Sequence, residues 1–185
     1  MRSRSTILAA SALAFTLVGC NELPRLDRGE DDSLAKVSRS RLGVGQRLPN
    51  DAEANVVGAA DSPVRRGSPG FKQLIQCDDC PFVFKNEERN HSDRVMTPRL
   101  RQRLVVLSKL VTQTWPKVEL RVTEAWDDRA EHGAGSVHYE GRAADITTSD
   151  QDPKKLGQLA ALAVRAGFDW VFYEDTSHVH VSVKR

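Results

Sequence analysis

The fold turns on Ser136-Val137-His138-Tyr139-Glu140-Gly141-Arg142-Ala143-Ala144-Asp145-Ile146-Thr147-Thr148 and the later His178-Val179-His180-Val181-Ser182-Val183. The first stretch reads as a glycine-bearing loop followed by a strand over 142–148. In the second, strand alternation sends Val179, Val181 and Val183 to one face and His178, His180 and Ser182 to the other. The valines can join a core, while two imidazoles project together on the opposite face. An acid stands nearby in the turn Glu174-Asp175-Thr176-Ser177, which separates this strand from another over 169–173.

Outward from these strands the pattern changes to helices. Thr97-Pro98 is an N-cap followed by proline at the first helical position, and Leu100, Leu104, Leu107, Leu110 and Val111 recur at helical spacing to Thr114. Trp115-Pro116 stops that helix, and Val118 to Thr123 then alternates as a strand. A second helix opens at Asp152-Pro153, buries Leu156, Leu159, Ala160 and Ala163, and ends at Gly167. Segregated helices and a mostly antiparallel sheet make the expected class α+β, with the helices packed on the sheet.

The 185 residues suffice for one compact domain and a leader, not for two substantial cores. A net charge of +2 gives no electrostatic case for a nucleic-acid partner. Arg2 and Arg4 precede an apolar run over 6–18, the order of a secretory signal occupying 1–19. Leu17-Val18-Gly19-Cys20 resembles a bacterial lipobox, which implies a lipid on Cys20 and a bacterial envelope protein facing outside the cytoplasm. Residues 20–54 are then a lipidated N-terminus and flexible tether, rich in charge and poor in periodicity, and the domain is expected over 55–185. Of the remaining cysteines, Cys77 and Cys80 form a single CxxC without a second ligand pair nearby, so a local disulfide is expected.

The Ser136-to-Asp145 motif is similar to the signature of D-alanyl-D-alanine carboxypeptidases and murein endopeptidases. That resemblance implies zinc on His138, Asp145 and His180. Two imidazoles and one carboxylate leave a fourth position for water, as in catalytic zinc sites. A carboxylate near such a water can take its proton, so Glu174 is expected as general base, with His178 and His132 as weaker candidates to orient a ligand or bond an oxyanion.

A longer resemblance runs from about Asn55 to Lys184. Asn55-Val56-Val57-Gly58-Ala59, Phe84-Lys85-Asn86-Glu87-Glu88, Arg121-Val122-Thr123-Glu124-Ala125-Trp126-Asp127, Asp145 to Asp150 and Ala166-Gly167-Phe168-Asp169-Trp170-Val171 are similar to the hedgehog N-terminal signalling domain. The family implies the same zinc ligands and an adjacent calcium site. Glu87, Glu88, Asp93, Glu124 and Asp127 supply the hard oxygens that calcium favours. Arg129 stands where the family has another acid, which implies one calcium rather than two. The chain closes at Lys184-Arg185, where hedgehog proteins continue into a self-splicing domain. Together with the lipobox, this points to a bacterial hedgehog-like lipoprotein.

Two functions are then expected to compete, both in a monomer. One is a zinc metallopeptidase, a hydrolase of D-amino-acid-containing wall peptides. The other is a non-catalytic module, stabilised by zinc and calcium, that binds a peptide or protein partner.

Overall fold

The computed structural model describes residues 41–85, 90–127, 129 and 132–185. Eight strands and three α-helices appear among them, the helices being α1 (Glu53–Val57), α2 (Pro98–Thr114) and α3 (Leu156–Arg165). The main sheet contains β1 (Arg47–Leu48), β3 (Val83–Phe84), β5 (Leu120–Glu124), β6 (Ala143–Thr148), β7 (Trp170–Phe172) and β8 (Val179–Ser182). Their order is β1-β7-β8-β6-β5-β3, antiparallel except for β3 beside β5. A separate antiparallel pair joins β2 (Ile75–Gln76) to β4 (Val95–Met96). The α+β, mostly antiparallel architecture expected from the pattern is therefore present.

Helix α2 begins and ends where the sequence places it. Thr97 Oγ1 accepts from the Leu100 amide at 3.3 Å, and proline occupies the first turn, where its missing N–H costs nothing. The Trp115 amide donates to the Val111 carbonyl at 2.8 Å, and Pro116 cannot continue the ladder. Helix α3 is preceded by a 3-10 turn over Pro153–Lys155, capped by Asp152 through the Lys154 amide at 3.0 Å. It stops before Gly167, whose φ of +81° reverses the chain.

The two long helices pack together on one face of the sheet. Leu100, Leu104, Leu107 and Val111 from α2 and Leu156, Leu159, Ala160 and Ala163 from α3 share a core with Val122, Ala144, Ile146, Val171, Val179 and Val181. The valine face of β8 is thus the core face, as alternation requires. The opposite face is also covered: Val57 packs on Val137, Ala143 and Trp170 in a smaller cluster.

Val57 lies just inside the domain expected over 55–185, and residues ahead of it, expected to be a tether, join the sheet as well. Strand β1 pairs with β7 at the sheet edge, Arg47 opposite Phe172 and Leu48 opposite Val171. A two-residue strand is too short to leave an alternation signal. The expected signal peptide and Cys20 lie outside the described residues.

Leu104 is fully buried between α2 and the sheet. Its replacement by alanine removes apolar contact and leaves a cavity, so Leu104→Ala is expected to cost about 2–5 kcal/mol. A urea titration followed by circular dichroism checks the value.

Candidate metal centre

Register builds the site. Glu124 lies opposite Asp145, Asp145 opposite His180, and His180 opposite Phe172, so one row crosses β5, β6, β8 and β7. The register between β5 and β6 shifts between Val122 and Glu124, the kind of irregularity that re-aims side chains beside functional sites. His138 enters from a 3-10 turn over Val137–Glu140, directly ahead of β6. That turn closes at Gly141 with a φ of +64°, where an added Cβ would lie 3.1 Å from Leu74 and 3.3 Å from the Met96 backbone. Glycine is required there by both conformation and space.

Three atoms converge. His138 Nε2 lies 3.2 Å from His180 Nδ1, His180 Nδ1 lies 3.0 Å from Asp145 Oδ1, and Asp145 Oδ1 lies 3.5 Å from His138 Nε2. Ligands about 2.0–2.1 Å from a tetrahedral zinc stand about 3.3–3.5 Å from one another, so this donor set fits that ion. The outer nitrogens are tied down as well. His138 Nδ1 lies 2.6 Å from the Ala125 carbonyl, to which it donates, and His180 Nε2 lies 2.8 Å from Glu53 Oε1. Such partners fix which ring nitrogen faces a metal.

His132, His178 and Glu174 surround this triad. His132 stacks on His138 with ring centroids 4.0 Å apart, and its Nε2 is 3.9 Å from Asp145 Oδ2. His132, His138 and Asp145 also bring ligand atoms within 4.8 Å of one another, a looser set than the one containing His180. His178 Nε2 approaches the same Asp145 oxygen at 3.8 Å and Glu174 Oε2 at 3.3 Å, so His178 and His180 do share a face.

Of the expected calcium ligands, Glu124 and Asp127 come together around His132, within 4.8 Å. Asp127 Oδ1 accepts from the Arg129 amide at 2.6 Å, and Asp127 Oδ2 lies 3.1 Å from His132 Nδ1. Asp93 is buried on the 3-10 turn Ser92–Arg94, and Glu87 and Glu88 lie outside the described residues. Asp127, Arg129 and Tyr139 line a cleft of about 410 Å³ whose other wall is Pro63 to Arg66. Cys77 and Cys80 form a disulfide, with Cα atoms 5.6 Å apart.

The sequence reading missed Glu53. A single acid in a segment full of acids carries no local signal, and its partner is 127 positions away.

Electrostatics follow from crowding one carboxylate with imidazoles. Burial pushes Asp145 toward its neutral form, but His138 and the bonds from His132, His138 and His180 outweigh it and hold its carboxyl well below the usual range. Burial works against the charged forms of His132 and His180 too. Asp145 and Asp127 nevertheless raise His132 to about 9, and Asp145 and Glu53 raise His180 to about 10. Burial raises Glu124, and His132 offsets part of that.

A sheet with helices on one face and an imidazole–carboxylate triad on the other defines an α+β domain with a candidate metal centre. The chain belongs to the Hedgehog amino-terminal signalling domain family, which matches residues 28–182. It is 50% identical over 145 residues to the Indian hedgehog protein of Gallus gallus, covering 77% of this chain and 36% of that protein. To the Sonic hedgehog protein of Danio rerio it is 41% identical over 186 residues, covering 100% of this chain and 44% of that protein. To Protein hedgehog of Drosophila persimilis it is 45% identical over 145 residues, covering 77% of this chain and 30% of that protein. The chain thus spans less than half the length of each of these relatives.

These relatives overturn the expected bacterial cell-wall peptidase. They are animal Hedgehog proteins, and the matched domain is a signalling domain. The hydrolase reading falls with it, and so does the reaction for which Glu174, His178 and His132 were expected to serve. The donor set misled because imidazole, carboxylate and a nearby acid suit metal retention as well as hydrolysis.

Without metal, His132 and His180 keep their protons in the fold to about 9 and about 10, against 6.5 ordinarily. A raised pKa gives stability that is fully present below the unfolded value and lost as pH rises through the folded one. The metal-free domain is therefore expected to melt at progressively lower temperature from pH 6.5 to pH 10. Thermal scans in chelator across that range check the sign.

Proposed function

We propose that the chain acts as an extracellular signalling ligand, in which one zinc and one calcium rigidify the face that a receptor protein grips. The observation that carries this reading is the approach of His138 Nε2, Asp145 Oδ1 and His180 Nδ1 to within 3.5 Å of one another, in a domain of the Hedgehog signalling family. In this reading His138, Asp145 and His180 hold zinc, while Glu124, Asp127 and Asp93, with Glu87 and Glu88, hold calcium. The metals supply fixed positive charge where acids and imidazoles would otherwise depend on protons alone. Calcium at Glu124 and Asp127 would adjoin the cleft walled by Arg65 and Arg66, and that cleft offers a protein partner an apolar and cationic rim.

The basic and apolar segment over 1–18 supports export, and Cys20 is proposed as the attachment point of a lipid that holds the ligand at a membrane. No described helix is long and apolar enough to cross a membrane.

The test has a metal arm and a partner arm. Mass spectrometry of the purified chain under native conditions is expected to give one zinc, lost in the doubly substituted His138→Ala, His180→Ala chain. Surface plasmon resonance against the receptor ectodomain that animal Hedgehog proteins engage is expected to give saturable binding, weakened when the metals are chelated. Absence of binding by the metal-loaded chain at micromolar concentration removes the ligand reading. Unchanged zinc content in the double substitution removes the three assigned ligands. Zinc affinity is further expected to rise with pH toward 10, because His180 must shed its Nδ1 proton to ligate.

A further inference from the structure

Residues 47–60 begin in the edge strand β1 and then cross the face of the sheet that carries the metal triad, where their anchors are residues of the site or its neighbours. The Asp51 carbonyl accepts from Trp170 Nε1 at 2.9 Å, and Trp170 itself meets the His180 ring edge to face with centroids 5.7 Å apart. The carbonyls of Val57 and Gly58 accept from the Arg142 guanidinium at 2.8 and 3.0 Å. Val57 sits on Val137, the first residue of the His138 turn, and on Ala143, the first residue of β6. Glu53, in the first turn of α1, reaches His180 Nε2 at 2.8 Å.

That last contact differs from an exposed ion pair. The His180 side chain is only 10% exposed and the Glu53 side chain 23% exposed, so water screens the pair weakly. An imidazole that gives one nitrogen to a carboxylate presents the other in a fixed tautomer and direction. For His180 the nitrogen left over is Nδ1, the one that meets Asp145 and His138. His138 receives the equivalent support from a backbone carbonyl inside the domain, that of Ala125. His180 receives it from α1, in the segment that precedes the central strands in sequence.

We infer that Glu53 is the positioning residue of His180, and that through it the docking of residues 47–60 and the binding of metal strengthen each other. The inference is built on the zinc reading above. It makes the N-terminal strap a metal-dependent element. Because coupling between two binding equilibria is reciprocal, the factor by which docking tightens zinc equals the factor by which zinc tightens docking. Supports of this kind are worth about 10- to 100-fold in metal affinity.

The strap also leads into one wall of the cleft. Past Gly58, the Ala59 carbonyl accepts from Arg185 at 2.9 Å, the Asp61 amide donates to Glu140 at 2.8 Å, and the Val64 amide donates to the Tyr139 carbonyl at 2.8 Å. Loading the metal would therefore hold the path to Pro63–Arg66 in place on the side where Tyr139 and Asp127 form the other wall.

The test uses the purified chain, stripped of metal and reloaded with zinc alone. Zinc affinity is measured by competition with a chromophoric chelator, for wild type, Glu53→Ala and Glu53→Gln. Glu53→Ala is expected to weaken zinc about 10- to 100-fold, and Glu53→Gln, whose amide oxygen can accept the same hydrogen bond, to recover most of the loss. Hydrogen–deuterium exchange read by mass spectrometry is expected to slow in residues 47–60 when wild type is loaded. In Glu53→Ala that slowing should vanish, while the slowing over Ala143–Thr148 persists. If wild type takes up no zinc, the zinc reading falls and this inference with it. If wild type binds zinc but exchange in residues 47–60 is indifferent to it, or Glu53→Ala binds as tightly as wild type, the coupling is overturned and the zinc ligands stand. Should Glu53→Ala fail to fold, the wild-type exchange comparison and the Glu53→Gln affinity decide in the same way.

Discussion

One face of this sheet is organised around the buried carboxylate of Asp145. Taking such a group out of water costs several kcal/mol unless charge and hydrogen bonds replace the lost hydration. Here His138 and His180 meet one oxygen, while His132 and His178 approach the other more distantly. The imidazoles come from three parts of the chain, namely a 3-10 turn, the loop after β5, and β8 with the residue just ahead of it, and Asp145 itself comes from a fourth, β6. Satisfying one carboxylate thus fixes four segments relative to one another. Proton or metal must supply the compensating charge, and the raised values of His132 and His180 show that protons do so when metal is absent.

The two faces of the sheet were unequally legible in the sequence, for a physical reason. The core face announces itself through period. Leu100, Leu104, Leu107 and Val111 repeat at the helical interval, and Val179, Val181 and Val183 at the strand interval, so α2 and β8 emerge from local pattern. Pro98 and Gly167 then mark helix ends through backbone constraints that belong to the residues themselves. The metal face has no period, because its members are placed by register between strands. His138, Asp145 and His180 were recognisable only because their motif resembles that of known zinc proteins. Glu53 belongs to no such pattern, Arg142 is only a variable position within that motif, and the roles of both depend on partners far off in sequence.

Function was the harder step, since an open set of two imidazoles and one carboxylate is chemistry shared by enzymes and by stable metal-holding domains. The motif around His138 favoured hydrolysis. The resemblance over the rest of the domain pointed elsewhere, and the wider match decides, because it extends over β5, β6, α3 and β7 rather than over three ligands. Glu174 illustrates the ambiguity. It is close enough to His178 to look like a base near a metal-bound water, yet half of its side chain is exposed and it has no other described partner. The same placement suits a carboxylate offered to a partner's surface.

The proposed ligand role gives such a site a purpose without a reaction. The side of the sheet that carries the triad is made of short strands, 3-10 turns and a strap, elements that bury little apolar surface. The long helices α2 and α3 stabilise the other side of the sheet, while on this side the small cluster of Val57, Val137, Ala143 and Trp170 supplies apolar support. The hydrogen bonds and ion pairs around Asp145 add to that small cluster in tying these elements together. On this argument the division of labour in the domain follows its two faces: burial of Leu, Val and Ala determines that the sheet forms, and charge around one carboxylate determines how the elements on its other face are arranged.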